Sequence, residues 1–253
     1  MLINRVIPIL LLDDGRLVKT TKFKNPKYVG DPINAIRIFN DKEVDELVLL
    51  DIRASKKNIE PDYKMIERVA GECFMPLSYG GGIKTIDQAK KIFSLGVEKV
   101  SIHTSLMDNF DLLKEVSDRF GSSSVIASID IKKNFFGKTK VFNSSRKKIE
   151  NKSWEEHFKK CIKYGAGEIL LNSVDRDGLR KGTYIEAIRA ASKITTVPLI
   201  AAGGIGSLND IKETIVAGAD AVGAGAFFVY QGPHKAVLIT YPKYKALEKL
   251  FYE

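Results

Sequence analysis

Eight apolar runs of strand length alternate with segments of helical period, and this alternation constrains the fold more than any other feature of the sequence. The apolar runs lie at residues 5–12, 46–52, 76–79, 98–103, 124–131, 168–174, 198–202 and 220–224. The helical segments lie at residues 31–43, 60–73, 85–95, 107–119, 153–163, 183–193 and 207–217. Strands that alternate with helices form a parallel sheet, and eight such units close into a barrel. The sequence therefore predicts an α/β fold, a (β/α)8 TIM barrel.

The length of 253 residues matches one (β/α)8 unit, so we expect a single barrel domain over residues 1–253. The stretch ELVLLDI at 46–52 resembles EILLNSV at 168–174, and GGGI at 80–83 resembles GGIG at 203–206. These similarities predict a half-barrel internal repeat.

The composition excludes several classes of protein. No stretch approaches the roughly eighteen apolar residues of a transmembrane helix, and the N-terminal apolar run lacks a cleavage site, so we expect neither a membrane span nor a signal peptide. Cys73 and Cys161 stand apart without motif spacing, which indicates reduced thiols in a cytoplasmic protein. A structural disulfide is the alternative. The sequence implies no cofactor and no metal site.

The formal net charge of +9 raises the question of a nucleic-acid partner. The basic residues are dispersed over helices and one hairpin, without aromatic interleaving or a binding-module signature, so no nucleic acid is expected. An anionic small substrate or an acidic protein partner explains the charge better. The simpler alternative is a solvated basic surface.

Residues 167–178, GEILLNSVDRDG, are interpreted as one barrel strand with a charge at each end. Glu168 then lies at the bottom of the barrel and Asp177 at the top. Ligand chemistry in such barrels takes place at the top, where the strands end, while the bottom is normally structural. The two ends therefore need separate explanations.

Glycine turns and polar residues follow several predicted strands at the top. Glycine lets backbone N–H groups approach an anion closely, although a single glycine pair would indicate only a tight turn. Clusters on both halves of the barrel predict a phosphate-bearing small molecule that spans the mouth. The candidate binding residues are Gly82, His103, Thr104, Asp177, Gly178, Gly203, Gly204, Gly225 and Ala226.

Asp130 ends the fifth apolar run, which places a carboxylate where general acid–base chemistry would occur. The structural alternative is an ion pair with Lys132 or Lys133. The first run ends in leucines, so no acidic residue faces Asp130 until Asp13 and Asp14 in the following loop. A pair of catalytic carboxylates is not evident.

Two segments between predicted elements, 13–30 and 132–151, exceed the usual loop length. The first carries Lys19, Lys22, Phe23 and Lys24, and we interpret it as a lid over an anionic ligand, with a solvated basic loop as the alternative. The second resembles a small hairpin centred on Gly137, with solvated basic residues.

Four charged residues, Arg5, Glu46, Lys99 and Glu168, stand at the starts of predicted strands. Buried charges need partners, and a ring of alternating sign would provide them. Such a ring is either a salt-bridge plug in the barrel floor or a gate to an internal passage.

The order of motifs resembles the HisF family, the cyclase subunits of imidazole glycerol phosphate synthase. The resemblance rests on RVIP, GDP, DELVLLDI, GGGI, IDIKK, GAGEILLNSVDRDG and GGIG, in this order over nearly the whole chain. It implies a HisH-like glutaminase on the N-terminal face of the barrel, ammonia crossing the barrel, and two aspartates that promote ring closure at the top. By the same resemblance Arg5, Glu46, Lys99 and Glu168 match the ammonia gate, and Asp130 matches one catalytic aspartate.

The chain departs from the family pattern at the mouth. Leu11 stands at the position of the second catalytic aspartate, and a leucine side chain cannot transfer protons. Ala202, Asn172, His103 and Ala226 also differ from the usual residues. The pattern resembles HisF-like proteins of bacterial surface-polysaccharide clusters, as does the C-terminal AFFVYQGPHKAVLITYP, which we expect to be extended in place of an amphipathic final helix.

Three functions follow from this resemblance. The first is an ammonia-channelling subunit that works with a HisH-like glutaminase and a sugar amidotransferase to convert an acetamido group to acetamidino in O-antigen or lipopolysaccharide biosynthesis. The alternative is a genuine cyclase of histidine biosynthesis, which converts PRFAR and ammonia to imidazole glycerol phosphate and AICAR, with Asp13 or Asp14 as a displaced acid. The third is a phosphate-binding scaffold without enzymatic activity.

Overall fold

The computed structural model describes residues 4–252. Its strands in chain order are β1 (Arg5–Asp13), β2 (Arg16–Thr21), β3 (Lys24–Gly30), β4 (Leu47–Asp51), β5 (Leu77–Gly80), β6 (Lys99–Ile102), β7 (Val125–Lys133), β8 (Thr139–Asn143), β9 (Lys148–Ile149), β10 (Glu168–Ser173), β11 (Leu199–Ala202), β12 (Ala221–Ala224), β13 (Tyr230–Gln231) and β14 (Ala236–Val237). The α-helices are α1 (Pro32–Asp41), α2 (Ala54–Lys57), α3 (Tyr63–Glu72), α4 (Ile86–Ser94), α5 (Asp111–Phe120), α6 (Trp154–Lys163), α7 (Ile185–Ser192), α8 (Leu208–Val216), α9 (Ala226–Val229) and α10 (Tyr244–Tyr252). Short 3-10 helices lie at Thr104–Met107 and Ser122–Ser124.

Eight of the strands form a closed parallel barrel in the order β1, β4, β5, β6, β7, β10, β11, β12, with β12 pairing back onto β1. All eight predicted runs are strands of this barrel. The predicted (β/α)8 fold is confirmed.

Side-chain caps fix where the helices begin. Asp31, Asp62, Thr85, Ser153 and Ser207 each accept a hydrogen bond from a backbone N–H of the first turn. Such caps satisfy donors that the helix itself leaves unpaired. Each capping residue also marks where the preceding loop ends, so the caps define the ends of the loops at the top of the barrel.

The barrel encloses an apolar core of its own. The cluster consists of Ile7, Val48, Ile126, Leu170, Ile200, Ala202 and Ala221, with Ile9 and Leu50 packed against it. A larger cluster fills the space between the strands and the surrounding helices. The barrel interior is therefore packed by side chains, as is usual for this architecture.

The sequence predicts a long loop over residues 13–30, but the structure has paired β-strands there. β2 pairs with the end of β1 in antiparallel fashion, with Val18 opposite Leu11, and β3 pairs with β2. Asp14 and Gly15 both have positive φ, as the tight turns that join hairpin strands require. The Asp-Gly pair is a sequence signal for such a turn.

The expected hairpin after the fifth barrel strand is confirmed. β7 continues beyond the barrel to Lys133 and pairs with β8 through a turn at residues 134–138. β1 and β7 have nine residues each and stand opposite each other in the barrel order.

The expectation that the chain lacks an amphipathic final helix is wrong. The C-terminal segment contains α9 and the short β13–β14 hairpin, and α10 begins at Tyr244, two residues after Pro242. Leu247 of α10 is buried, and the Tyr241 hydroxyl donates to the Val6 carbonyl at 2.7 Å. No helix within residues 4–252 has the length and hydropathy to cross a membrane.

Candidate functional site

A cavity opens at the C-terminal ends of the barrel strands. Part of its wall is apolar and includes Ile9, Leu11, Leu50 and Leu170. All predicted binding and catalytic residues line it, which brings together Lys19, Gly82, His103, Thr104, Asp130, Asp177, Gly178, Gly203, Gly204, Gly225 and Ala226. The cavity is the candidate functional site.

Asp130 pairs with a histidine rather than with a lysine. Its Oδ2 lies 3.2 Å from Nε2 of His103, whose Nδ1 lies 2.9 Å from the Ser128 carbonyl oxygen. The sequence alternative of an ion pair with Lys132 or Lys133 is wrong, because those ammonium groups lie over the rings of Phe142 and Tyr184.

The His103–Asp130 pair can hold a proton at the mouth of the barrel. Since a carbonyl oxygen only accepts, Nδ1 of His103 carries a hydrogen and Nε2 faces the carboxylate. Burial raises the pKa of Asp130, the charge of His103 opposes this rise, and Asp177 reinforces it. A carboxyl with a raised pKa beside an imidazole has the chemistry of a proton donor and acceptor.

No second carboxylate reaches this pair from β1. Leu11 lines the cavity and lies opposite Leu50 of β4. Asp13 pairs in register with Arg16, and Asp14 forms a salt bridge with Arg53; neither lines the cavity. The proposal of a displaced acid at Asp13 or Asp14 therefore has no geometric support.

Asp51 is a cavity residue that sequence reasoning missed. Its Oδ1 accepts the backbone N–H groups of Arg53 and Ala54 at 2.8 and 2.9 Å. Burial raises the pKa of this carboxyl, and the two N–H donors oppose the rise. Its position at the end of the second apolar run could have identified it, by the argument that singled out Asp130.

The β2–β3 hairpin is fastened across the mouth by Asp177. Lys19 Nζ lies 2.8 Å from Asp177 Oδ1, and the Thr20 hydroxyl donates to Oδ2 at 2.8 Å. The backbone N–H of Lys22 donates to the Asp177 carbonyl at 3.0 Å. The hairpin also reaches β8, since the rings of Phe23 and Phe142 meet edge to face with centroids 6.2 Å apart.

The glycine turns at the mouth allow close contacts within the protein itself. Gly204 has a φ of +111°, and a Cβ there would lie 2.1 Å from the Gly182 carbonyl oxygen. The N–H of Gly82 donates to the Ser55 hydroxyl at 3.2 Å, so an anion there would have to displace that oxygen. Gly225 lies beneath the Lys19 side chain, since a Cβ there would lie 3.3 Å from Lys19 Cε. Only the turn at Gly225, among these three, therefore lies directly against the positive charge of Lys19.

The four charged residues at the barrel floor form a closed ring of ion pairs. Arg5 Nη1 lies 2.5 Å from Glu46 Oε2 and 3.1 Å from Glu168 Oε1. Lys99 Nζ lies 3.3 Å from Glu46 Oε1 and 3.1 Å from Glu168 Oε1. The Ser78 hydroxyl donates to Glu46 Oε1 at 3.1 Å. Each cation therefore touches both carboxylates.

The ring separates the floor of the barrel from its apolar interior. Glu46 is 2% exposed, whereas the Arg5 side chain keeps 27% of its surface exposed. Burial lowers the pKa of Arg5, but Glu168 and Glu46 outweigh this effect and leave it raised. Above the ring, the apolar cluster of the interior leads to the cavity at the top.

Comparisons with known proteins agree with this architecture. A family model described as histidine biosynthesis protein matches residues 5–235. The chain is 53% identical over 252 residues to "Putative imidazole glycerol phosphate synthase subunit hisF2" of Pseudomonas aeruginosa, covering 98% of this chain and 99% of that protein. It is 49% identical over 254 residues to "Putative imidazole glycerol phosphate synthase subunit HisF" of Leptospira interrogans, covering both chains completely. It is 39% identical over 224 residues to imidazole glycerol phosphate synthase subunit HisF of Streptomyces griseus, covering 88% of this chain and 89% of that protein. With a closed (β/α)8 barrel, a charged ring at its floor and these relatives, the chain belongs to the HisF family of imidazole glycerol phosphate synthase subunits.

Proposed function

We propose that this chain delivers ammonia in a glutamine-dependent system that converts a sugar acetamido group to acetamidino during surface-polysaccharide biosynthesis. A HisH-like glutaminase would bind at the floor, and a sugar amidotransferase would receive ammonia at the mouth. One observation carries the proposal: the floor ring is complete, while Leu11 occupies the wall where an acid–base partner of Asp130 is expected.

The ring supports a passage for ammonia rather than a role in stability alone. Buried ion pairs pay a desolvation penalty, and well-packed apolar residues of similar volume are often as stable or more so. An apolar plug would therefore close the floor without four charges. The interior above the ring is apolar, which favours neutral ammonia over ammonium because an unpaired buried charge is costly.

The residues that line the mouth support the proposal that the cyclase activity of the family has been lost in this chain. A positioned general acid or base typically contributes about 10²–10⁴-fold to a rate, and the side chains of Leu11 and Leu50 offer none. Asp130 retains His103 as its partner, but no carboxylate from β1 reaches the cavity. The apolar part of the cavity wall, which includes Leu11 and Leu50, suits the passage of a small neutral molecule.

The proposed delivery is tested by the ratio of glutamine-supported to ammonium-supported amidation in a system reconstituted from barrel, glutaminase and sugar amidotransferase. Lys99→Ala and Glu168→Ala should each lower this ratio at least fivefold, because they open the ring that controls passage. Amidation driven by added ammonium should stay near the wild-type rate. Lys42→Ala, which removes an exposed lysine at the same end of the barrel, is the control.

Unchanged ratios in both ring variants, with the fold intact, would contradict a role of the ring in delivery. The ring would then be a structural plug, and the proposal would lose its main support.

The second candidate is a genuine cyclase, and the His103–Asp130 pair favours it because it retains a proton donor and acceptor at the mouth. We expect little or no imidazole glycerol phosphate when the purified protein receives ammonia and PRFAR. Turnover within tenfold of an ordinary cyclase would favour this candidate instead. Leu11→Asp alone should not restore full activity, since His103 and Asn172 also differ from the family pattern.

A further inference from the structure

The tip of the β7–β8 hairpin carries two phenylalanines in solvent. Phe135 is 98% exposed and Phe136 is 82% exposed, and their rings meet edge to face with centroids 5.6 Å apart. The turn beneath them is well defined, because Asn134 Oδ1 accepts the backbone N–H groups of Phe136 and Lys138 at 3.0 and 2.9 Å. Two large apolar side chains thus stand on an ordered turn.

The hairpin is anchored to the loops around the mouth. The backbone N–H of Lys133 donates to Asp175 Oδ2 at 2.9 Å, and the Thr139 and Tyr184 hydroxyl oxygens lie 3.2 Å apart. Arg146 pairs with Asp108 at 2.8 Å on the other side. Ser144, beyond the end of β8, lines the cavity itself. The tip therefore has a fixed position relative to the opening of the barrel.

Most of the net charge of the protein lies on this hairpin and on the segment that follows it. Residues 132–152 contain eight lysines and arginines and one acidic residue, in a chain whose formal net charge is +9. Lys138, Lys147 and Lys148 are exposed. The top of the barrel thus presents an aromatic tip within a concentrated positive field, which attracts an acidic surface.

We propose that the hairpin surface, formed by Phe135, Phe136, Lys138, Lys147 and Lys148, docks the amidotransferase that consumes the ammonia. The complementary surface is a recess for the two rings with acidic residues around it. The inference rests on the proposed function and names the contact that function needs at the mouth. Exposed aromatic side chains on a preorganised turn are typical anchors of protein interfaces.

A protein partner explains the position of the surface better than a lipid bilayer does. The tip stands beside the opening through which ammonia leaves, and a second protein can cover that opening and receive the molecule. A bilayer surface in contact with the same tip would have no site for the acceptor sugar. The two aromatic side chains also form one compact anchor rather than a broad apolar face.

The direct test measures binding of the purified sugar amidotransferase to the full barrel by titration calorimetry. Phe135→Ser with Phe136→Ser should raise Kd at least tenfold, equivalent to about 1.4 kcal/mol. Phe74→Ser, which changes a phenylalanine that is 85% exposed before β5 at the opposite end of the barrel, should leave Kd unchanged. Lys138→Glu with Lys148→Glu should slow association and weaken its dependence on salt.

Several results would overturn the inference. One is a Kd for the double phenylalanine variant equal to that of the wild type, and another is no binding of the amidotransferase to the wild-type barrel. A third is phenylalanine-dependent binding to vesicles of phosphatidylglycerol with unchanged amidotransferase binding, since the surface would then contact a membrane.

Glutamine-supported amidation distinguishes this inference from the proposed function. If the wild-type system with glutaminase produces none, both fail. If the wild-type system is active and the double phenylalanine variant matches it, the function stands and the docking surface is wrong. A fall of at least fivefold in the variant, with ammonium-supported amidation retained, supports both.

Discussion

Three histidines occupy three different environments, and their surroundings decide what each can do. His103 faces Asp130 at the mouth, and His234 is exposed near the C-terminal end. His157 of α6 is buried against the ring of Phe110, with centroids 5.2 Å apart. Burial lowers the pKa of His157 from 6.5 to about 4. It is therefore neutral at physiological pH and acts as a core residue.

The buried His157 should make stability depend on pH. Its pKa is lower in the folded than in the unfolded protein, so its contribution is present above pH 6.5 and is lost as the pH falls towards about 4. The loss is about 3 kcal/mol, since one pKa unit is equivalent to about 1.4 kcal/mol. Urea unfolding between pH 7 and pH 4 should show a shallower decline in His157→Gln. His234→Gln should follow the wild type, and an equal decline in all three proteins would contradict the assignment.

The sequence predicts where a charged residue lies in the barrel more readily than which residue it pairs with. Asp130 was placed at the mouth because a polar residue at the end of a buried strand must lie there. His103 was not identified as its partner, because it follows the neighbouring strand β6 and meets Asp130 only through the register of the closed barrel. The four charged residues of the floor ring could be predicted to lie together, since each stands at the start of a strand. Which of them form ion pairs depends on the geometry of the closed barrel.

The hairpin of β2 and β3 contributes Lys19, Thr20 and Phe23 to the wall of the cavity. It extends β1, crosses the mouth and is held by a buried ion pair between Lys19 and Asp177. The pair occupies Lys19, which the sequence assigned to an anionic ligand. An anion at the mouth would have to compete with the carboxylate of Asp177 for this ammonium group.

Removing the carboxylate of Asp177 should release the hairpin. Asp177→Asn leaves the buried Lys19 without its counter-charge, and breaking a buried pair typically costs about 3–5 kcal/mol. Hydrogen exchange at the N–H groups of Lys22 and Phe23, which contact Asp177, should become at least tenfold faster. Asp175→Asn is the matched control, since Asp175 contacts the other hairpin. Equal exchange rates in both variants would show that the Lys19–Asp177 ion pair does not stabilise the position of the β2–β3 hairpin.

Elements were predictable to within a few residues where hydrophobic period and caps agree. The five capped helices α1, α3, α4, α6 and α8 follow this rule, while the barrel strands, α5 and α7 were predicted from hydrophobic pattern without a side-chain cap. Residues 13–30 were interpreted as a loop, because β3 is mostly exposed and polar and so lacks an apolar pattern. α10 was not predicted, because Pro242 was interpreted as the end of an extended segment, whereas a helix begins two residues after it at Tyr244.

At the scale of the whole molecule, the two ends of the barrel have different chemistry. The floor holds a ring in which positive and negative charges balance, while the top carries the basic hairpin and the cavity. Such a distribution orients partners, because an acidic surface is attracted to the basic hairpin at the top, while the charges of the floor ring compensate each other.

Phosphate should stabilise the protein by binding at the mouth, where the turn at Gly225 lies against Lys19 and the turn at Gly204 lines the same cavity. A ligand at about ten times its Kd adds about 1.4 kcal/mol to the free energy of unfolding. Tm should rise by about 3–5 °C and then saturate. Sodium chloride at equal ionic strength is the control. A rise that stays linear with phosphate concentration would indicate a general salt effect and contradict a site.

The contact between Phe23 and Phe142 gives the barrel an arch. The two longest barrel strands stand on opposite sides of the barrel, and the rings of Phe23 and Phe142, on the hairpins that continue these strands, meet edge to face. Since Phe23 also lines the cavity, a ligand that displaces its ring must break the contact with Phe142. Entry of a large ligand is therefore coupled to both hairpins at once.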